Sequence, residues 1–501
     1  MDILSQQSRS RAKPEFQAII LSGFGSQLGP LIEPHGDEPT PKALLPVKNK
    51  PLLSYGLSWL EEADVKDALI VCPPSHVRAL TDHFQATSPV LNVKIHAYDP
   101  DSDGTSSTVS ILKKLTPRIQ SDFIVLSCDF VPSPELHLSS LLNLWRVDSS
   151  EAIMASLFYE ASEEAQKRKD KPLPNTIYKE SSILGVAYDK GSEVQIPMHL
   201  LTKFGRCRVT SQLADSHVYV FKRSVLELLP LVPEFKSIKK DLVPFLCSLQ
   251  YSRTRRNKFS HILTPPQKVT TAENVQDKGE ISVFTALQYS TTQELDFRTM
   301  SATIPARART PTNAQKNAWD DEGSSTEEAS EGDIDEDEPT FVPSLRCAFL
   351  VHKRSKDGVT CGRANNLSAY RELNQGLLKH SSLEPKGVRD GVDPKAQISP
   401  NSAWEVSSRI GEGSIVASSA IGQHCVIGKQ VRIVNSVIMN HVELGDGVRI
   451  ENCILSSYTK VGEKTELKDC ESTPGAEIPG EKSYKSTRLD GKSFKTMSSS
   501  T

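Results

Sequence analysis

The sequence predicts a doubly wound α/β domain followed by a left-handed parallel β-helix, and three observations carry that expectation. From Phe16 to about Tyr159, short apolar runs alternate with helix-patterned stretches, the rhythm of repeated strand, helix, strand units. The stretch Asp320 to Glu338 then has eleven acidic residues in nineteen and almost nothing to bury. Beyond about residue 398, aliphatic residues return every six positions, often followed by glycine, the period of a solenoid with three short strands per turn.

Size and charge narrow the classes. A chain of 501 residues with 37% hydrophobic content exceeds one ordinary domain and can bury substantial cores. Its net charge of −3 argues for neither direct DNA binding nor a membrane surface. The sequence has no run of about 18 apolar residues, and its first fifteen lack the apolar middle of a signal peptide, so the expectation is a soluble protein of the cytosol. Nine scattered cysteines without a C-x-x-C pair read as reduced thiols packed as small hydrophobes.

Each element of the first domain has its own signal. The runs AIILS (18–22), ALIVC (68–72), VKIHAY (93–98), FIVLSCD (123–129) and AIMASLFY (152–159) suit strands buried on both faces. Pro51 stands at a first-turn position before LLSYGLSWLEE, and PSHVRALTDHF, SSTVSILKKL and PELHLSSLLNLW supply further helix patterns. In such a sheet, ligands bind at the carboxyl ends of the strands. Residues 160–181, with mixed charge and two prolines, read as an exposed excursion. Sheet resumes at ILGVAYD (183–189) and SHVYVF (216–221), and helices follow near Lys222–Leu229 and Ser237–Leu249. The cluster Arg253, Arg255, Arg256 and Lys258 reads as a solvated helix end rather than a phosphate site.

These signals divide the chain. Residues 1–15 are expected to be disordered, 16–290 to form the α/β domain, and 291–345 to be a disordered acidic linker. Within it, Ser324, Ser325 and Ser330 sit in a setting suited to an acid-directed kinase, although a solubilising spacer is the simpler reading. CAFLVHK (347–353) restarts order, and 346–397 is expected to connect the domains. The β-helix is assigned to 398–470 as about five coils of about 18 residues, with Ile410, Ile421, Ile427, Ile433, Leu444, Ile450, Val461 and Leu467 inward. The period slips after Val416 and after Ile433, which calls for irregular corners, and 471–501 is expected to be a disordered polar tail. Flat solenoid faces favour side-by-side association, so an oligomer is expected.

Chemistry concentrates after the first strand, in LSGFGSQLGPL. Gly23 and Gly25 provide a turn that lets backbone N–H groups approach phosphate oxygens, and Lys42, in TPKALLPV, provides a cation. Asp129, ending FIVLSCD, is placed where a carboxylate would hold Mg²⁺ against a triphosphate. His424 and His441 lie in the repeats, where a corner position is the simpler reading than a general base.

Leu21 to Leu31 and Pro41-Lys42-Ala43-Leu44-Leu45-Pro46-Val47 resemble the opening motif of the sugar-phosphate nucleotidyltransferases, Rossmann-like enzymes of which many carry a hexapeptide-repeat β-helix. Lys50-Pro51-Leu52-Leu53, the Gly104-Thr105-Ser106 loop and Asp129 extend the likeness. What it implies is a nucleotide-binding remnant of Gly23, Gly25, Lys42, Gly104, Thr105 and Asp129, with no catalytic residue and no metal ligand assigned. The first loop is one residue shorter than the motif, Phe24 stands among its glycines, Gln27 replaces an arginine, and Cys128 precedes the aspartate in place of glycine. Asp215 and Asp241 are the nearest candidates for a second metal carboxylate.

Within that superfamily, Ser237 to Leu246, Arg363 to Tyr370, and the repeats Asn435-Ser436-Val437-Ile438 and Asn452-Cys453-Ile454-Leu455 resemble the gamma-type subunits of eukaryotic translation initiation factor 2B. The resemblance implies a non-catalytic, regulatory subunit of a guanine-nucleotide exchange complex acting on initiation factor 2. Its implied partners are a catalytic epsilon subunit and alpha, beta and delta subunits. It implies no obligatory cofactor, with GTP or another nucleotide in the altered pocket kept as an alternative. An active sugar-phosphate nucleotidyltransferase is the competing reading. The final thirty or so residues are too polar to form the helical catalytic domain that the epsilon type adds.

Overall fold

The computed structural model describes residues 14–34, 40–87, 90–98, 107–148, 151–162, 166, 173–188, 196–263, 345–354, 361–379, 391–405 and 407–490. The expected apolar runs become the centre of a ten-stranded sheet, in the order Arg208–Thr210, Asn175–Lys179, Ser182–Ala187, Arg346–His352, Ala152–Glu160, Leu213–Phe221, Asp122–Ser127, Phe16–Leu21, Asp67–Cys72, Asn92–Ala97. The last four strands are parallel, with Ile19 paired to Leu69 on one side and Val125 on the other. Successive residues of these strands point to opposite faces. Ile19, Leu69 and Val125 enter one core, and Ala18, Ile20, Ile70 and Ile124 enter the other. Burial on both faces is why the runs of Phe16–Leu21, Asp67–Cys72 and Asp122–Ser127 read as continuous; Asn92–Ala97, expected to be buried likewise, is the sheet's edge strand and no residue of it is fully buried.

Two parts of the domain differ from expectation. Residues 160–181 are not simply an excursion, because Asn175–Lys179 pairs antiparallel with both Ser182–Ala187 and Arg208–Thr210. The larger difference is Arg346–His352, which lies parallel to Ala152–Glu160 over seven pairs, inside the sheet. Nor is 346–397 a connector. After that strand, Gly362–Arg363 pairs with Phe130–Val131, and Leu367–Lys379 packs its Tyr370, Leu373 and Leu377 against Leu28, Leu31 and Val131. The α/β domain is therefore completed by residues beyond the acidic stretch, which itself lies outside the described residues.

The solenoid repeats every 17 residues rather than 18. Arg432, Arg449, Glu466 and Ser483 stack in register, and only the first coil, from Gln397 to Ile415, takes 18. The inward series Ile427, Ile433, Ile438, Leu444, Ile450, Leu455 steps by six, five, six, six, five. The apparent slips are one shortened corner per coil. Left-handed residues mark these corners at the same spacing, Ser418, Asn435, Asn452, Asp469 and Ser486; the three central ones are Asn or Asp, types that tolerate positive φ. The β-helix also runs past Cys470, through Glu471–Ser472, Glu477–Ile478, Ser483–Lys485 and Arg488–Leu489. The sequence hides this because its inward positions there include Ser472 and Tyr484 instead of aliphatics.

Gly462 is needed for the stacking itself. A Cβ there would stand 2.3 Å from the Gly480 nitrogen and 2.6 Å from its Cα, both backbone atoms that cannot swing away. Gly462→Ala is expected to destabilise the solenoid by about 1–3 kcal/mol, read from urea unfolding followed by circular dichroism; an unchanged midpoint would contradict the close approach.

One outward face of the solenoid is not solvated. Val437, Met439 and Ile454 are buried against Leu28, Leu31, Leu45, Leu52 and Tyr370 of the α/β domain. Asn49 Nδ2 donates to the Ile421 carbonyl at 2.8 Å, and Arg371 pairs with Glu471 at 3.4 Å across the same junction. Among the described residues no helix is long and apolar enough to cross a membrane.

Candidate functional site

The glycine loop lies where the first strand ends, at Leu21, and enters a short 3-10 turn at Ser26–Leu28. Gly25 adopts φ +78, and a Cβ there would stand 2.9 Å from Lys42 Cδ. Glycine is thus required both for its backbone and because a side chain would displace Lys42. Gly23 has open space before it and lines the cleft. Phe24 does not narrow that cleft: it is 55% exposed and packs edge-on against His76. Neither Phe24, Gln27 nor Cys128 lines the cleft, so the loop's departures from the nucleotidyltransferase motif act less on room than the sequence suggests. Gly104 and Thr105 lie outside the described residues.

Asp129 is fully buried just beyond the strand Asp122–Ser127. Its Oδ1 accepts from Ser127 Oγ at 2.5 Å and Arg363 Nε at 2.9 Å. Its Oδ2 accepts from Lys42 Nζ, and from Arg363 Nη2 at 3.0 Å. A carboxylate offers about four lone-pair positions, and these four donors fill them. Burial alone would push the Asp129 carboxyl up, but the Arg363 and Lys42 charges outweigh it and hold the group well below the usual carboxylate range. Arg363 is set in place by backbone: its strand pairs with Phe130–Val131, and Ala364 N donates to the Asp129 carbonyl at 2.9 Å.

A second buried carboxylate, Asp215, lies behind the cleft wall formed by His217, Tyr219 and Lys239. Asp215 accepts from Tyr188 Oη at 2.8 Å, Tyr219 Oη at 2.5 Å and the His217 backbone N–H at 2.9 Å. Lys239 Nζ lies 3.7 Å from it and 4.6 Å from the centre of the Tyr188 ring. Asp241 is elsewhere and accepts from the backbone of Lys236 and Ser237, a loop-closing role. Burial first and the Arg363 charge next push His217 down to about 3, so its ring is neutral near pH 7. The cleft encloses about 260 Å³ and is lined by Gly23, Lys42, His217, Lys239 and Arg363 together with apolar Val71, Ile111 and Val125.

Magnesium requires near-octahedral oxygen coordination. The donor set here does not fit it, since the oxygens of Asp129 are already taken by cations and a hydroxyl, and those of Asp215 by two phenols, an amide and Lys239. Among the described residues no group of three or more His, Cys, Asp or Glu side chains is placed to hold a metal.

His217, Lys239 and Arg363 carry much of the site's electrostatics, and no motif in the sequence assigns them a role. Arg363 reaches Asp129 across 234 residues; its only sequence signal is the RANNLSAY segment, whose likeness to a family says nothing of where the guanidinium points. His424 and His441 prove to be left-handed corner residues, their rings stacked at 5.1 Å, with Tyr458 continuing the stack at 4.9 Å. That is a structural ladder. Eight of the nine cysteines are buried and all are unpaired; Cys207 is half-buried.

The depressed histidine gives a pH dependence whose sign can be worked out. Between about 3 and its ordinary 6.5, His217 binds a proton only in the unfolded chain, so stability falls as pH drops through that window. The slope is at most about 1.4 kcal/mol per pH unit for one proton. His217→Asn, which also tolerates the residue's φ of 58, is expected to flatten the fall in melting temperature from pH 6.5 to pH 5. An equally steep fall in the variant would assign the slope to other groups.

Comparison with known proteins agrees with this architecture. The family of MobA-like NTP transferase domains matches residues 18–230, and that of the GMPPB C-terminal domain matches residues 391–483. A Schizosaccharomyces pombe protein named translation initiation factor eIF2B subunit gamma is 32% identical over 54% of this chain and 59% of its own length. Proteins of the same name from Dictyostelium discoideum and Caenorhabditis elegans are 25% and 26% identical, over 82% and 57% of this chain and 88% and 71% of theirs. The chain is thus similar to proteins named eIF2B subunit gamma, and it joins an NTP-transferase-like domain to a left-handed β-helix.

Proposed function

We propose that this chain is a non-catalytic, regulatory subunit of the guanine-nucleotide exchange complex that returns translation initiation factor 2 from its GDP-bound to its GTP-bound form. The observation that carries the non-catalytic half of this reading is the closed shell of donors around Asp129. A nucleotidyltransferase needs that carboxylate free for a metal that neutralises charge on the transferring phosphates; here two protein cations consume it. The exchange half rests on the relatives named eIF2B subunit gamma.

In this reading the protein works in the cytosol, held with a catalytic epsilon subunit and with alpha, beta and delta subunits. Its two domains dock as one body and favour the nucleotide-released state of the GTPase by contacting it better than the loaded one. The cleft keeps the glycine loop and three cations, enough to bind a nucleotide without turning it over. Release of labelled GDP from initiation factor 2 tests the division of labour: acceleration with epsilon present but none by this chain alone is expected. Equal acceleration by the isolated chain would refute it. Pyrophosphate released from NTP and sugar 1-phosphate with Mg²⁺, and abolished by Asp129→Asn, would establish the nucleotidyltransferase alternative instead.

A further inference from the structure

We propose that Arg363 is a fixed guanidinium standing where a nucleotidyltransferase carries its divalent metal, and that the cleft therefore takes a phosphomonoester anion without any metal ion. The inference rests on the preceding reading that the cleft binds a phosphate-bearing ligand.

Two facts support it. The first is the charge inventory. Lys42, Lys239 and Arg363 face the cleft, Asp129 and Asp215 lie behind them, and His217 is neutral, which leaves one positive charge in excess. A metal-dependent site has the opposite balance, with carboxylates in excess until the cation arrives. The second is geometry. Arg363 is held by two bonds to Asp129, at 2.9 and 3.0 Å, and its Nη2 also reaches Ser127 Oγ at 3.2 Å. A guanidinium carries five N–H donors, and three contacts on one edge leave donors for a ligand in the cleft it lines. Burial would lower its pKa, but the Asp129 charge raises it further, so it stays charged at every accessible pH. A terminal phosphate between the glycine loop, Lys42 and Arg363 meets fixed donors and needs no bridging ion.

The shared chemistry is a terminal phosphate on either a nucleotide or a sugar. Titration calorimetry of the full chain with GMP, glucose 1-phosphate or inorganic phosphate, each in EDTA and again in Mg²⁺, separates these sources. For whichever ligand binds, the dissociation constant is expected to agree within about twofold between the two conditions. Arg363→Gln is expected to weaken it by about tenfold or more, the loss of one charge-assisted contact, while Arg363→Lys recovers part of it. Binding that appears only with Mg²⁺ overturns the proposal. Manganese titration followed by electron paramagnetic resonance, on ligand-free protein, tests the metal-excluding half alone. The native chain is expected to bind no Mn²⁺ at the cleft, and Arg363→Gln to gain a site lost again with Asp129→Asn. Native Mn²⁺ binding removed by Asp129→Asn defeats the inference even if nucleotides bind. Absence of any phosphate ligand under both conditions defeats the preceding reading, and the ligand half of this one with it.

Discussion

Asp129→Ala is expected to lower the stability of the α/β domain by about 3–5 kcal/mol, because it leaves Lys42 and Arg363 as facing cations in a buried site. For a domain of this size that is roughly a 10 °C fall in melting temperature. Arg363→Ala should cost less, since the Lys42 pair to Asp129 survives it. The two losses should not add: with Asp129 already gone, removing Arg363 relieves a buried charge and restores part of the stability. A double-mutant cycle by calorimetry reads this coupling directly, with more than about 1 kcal/mol expected. The opposite sign applies to a metal-site carboxylate without its metal, whose removal relieves repulsion. Asp129→Ala that is neutral or stabilising would therefore show that the clamp does not hold the domain.

At the junction between the domains, Ile454→Asp is expected to cost at least about 4 kcal/mol, combining a lost buried aliphatic side chain with an unpaired charge. The variant should melt in two transitions where the native chain melts in one, because the solenoid and the α/β domain then unfold independently. Ile415→Asp is the control. Its side chain points outward from the same solenoid but is 39% exposed, so a change within about 0.5 kcal/mol is expected. If both variants behave alike, the apolar contact at Ile454 is not what unites the domains.

Much of the fold was legible because its signals are local. AIILS and FIVLSCD are strands buried on both faces, and LLSYGLSWLEE is a helix over Leu52–Glu62 with its Pro51 at the amino end. The solenoid was legible from spacing alone. Its 17-residue period was also there, in the five-residue steps that looked like slips. The doublets Val437-Ile438 and Ile454-Leu455 are the local trace of the docking face, each a pair of adjacent aliphatics buried on both sides of the rung, as Ala420-Ile421 is on the rung before them.

The sequence by itself determined the two architectures and the glycine turn after the first strand, because strand burial, helix periodicity and a six-residue step are properties of neighbouring residues. It also placed Gly23 and Gly25 in the loop after the first strand and Asp129 just past another strand of the same sheet; the parallel pairing of those two strands brings their carboxyl ends together. Only the tertiary structure decided that Arg346–His352 enters the middle of the first sheet and that Arg363 follows it into the cleft. A strand carries no mark of which sheet will accept it, and an arginine carries no mark of its carboxylate. The character of the site turns on that distant pairing, which spends the lone pairs of Asp129 on protein cations and leaves none for a metal.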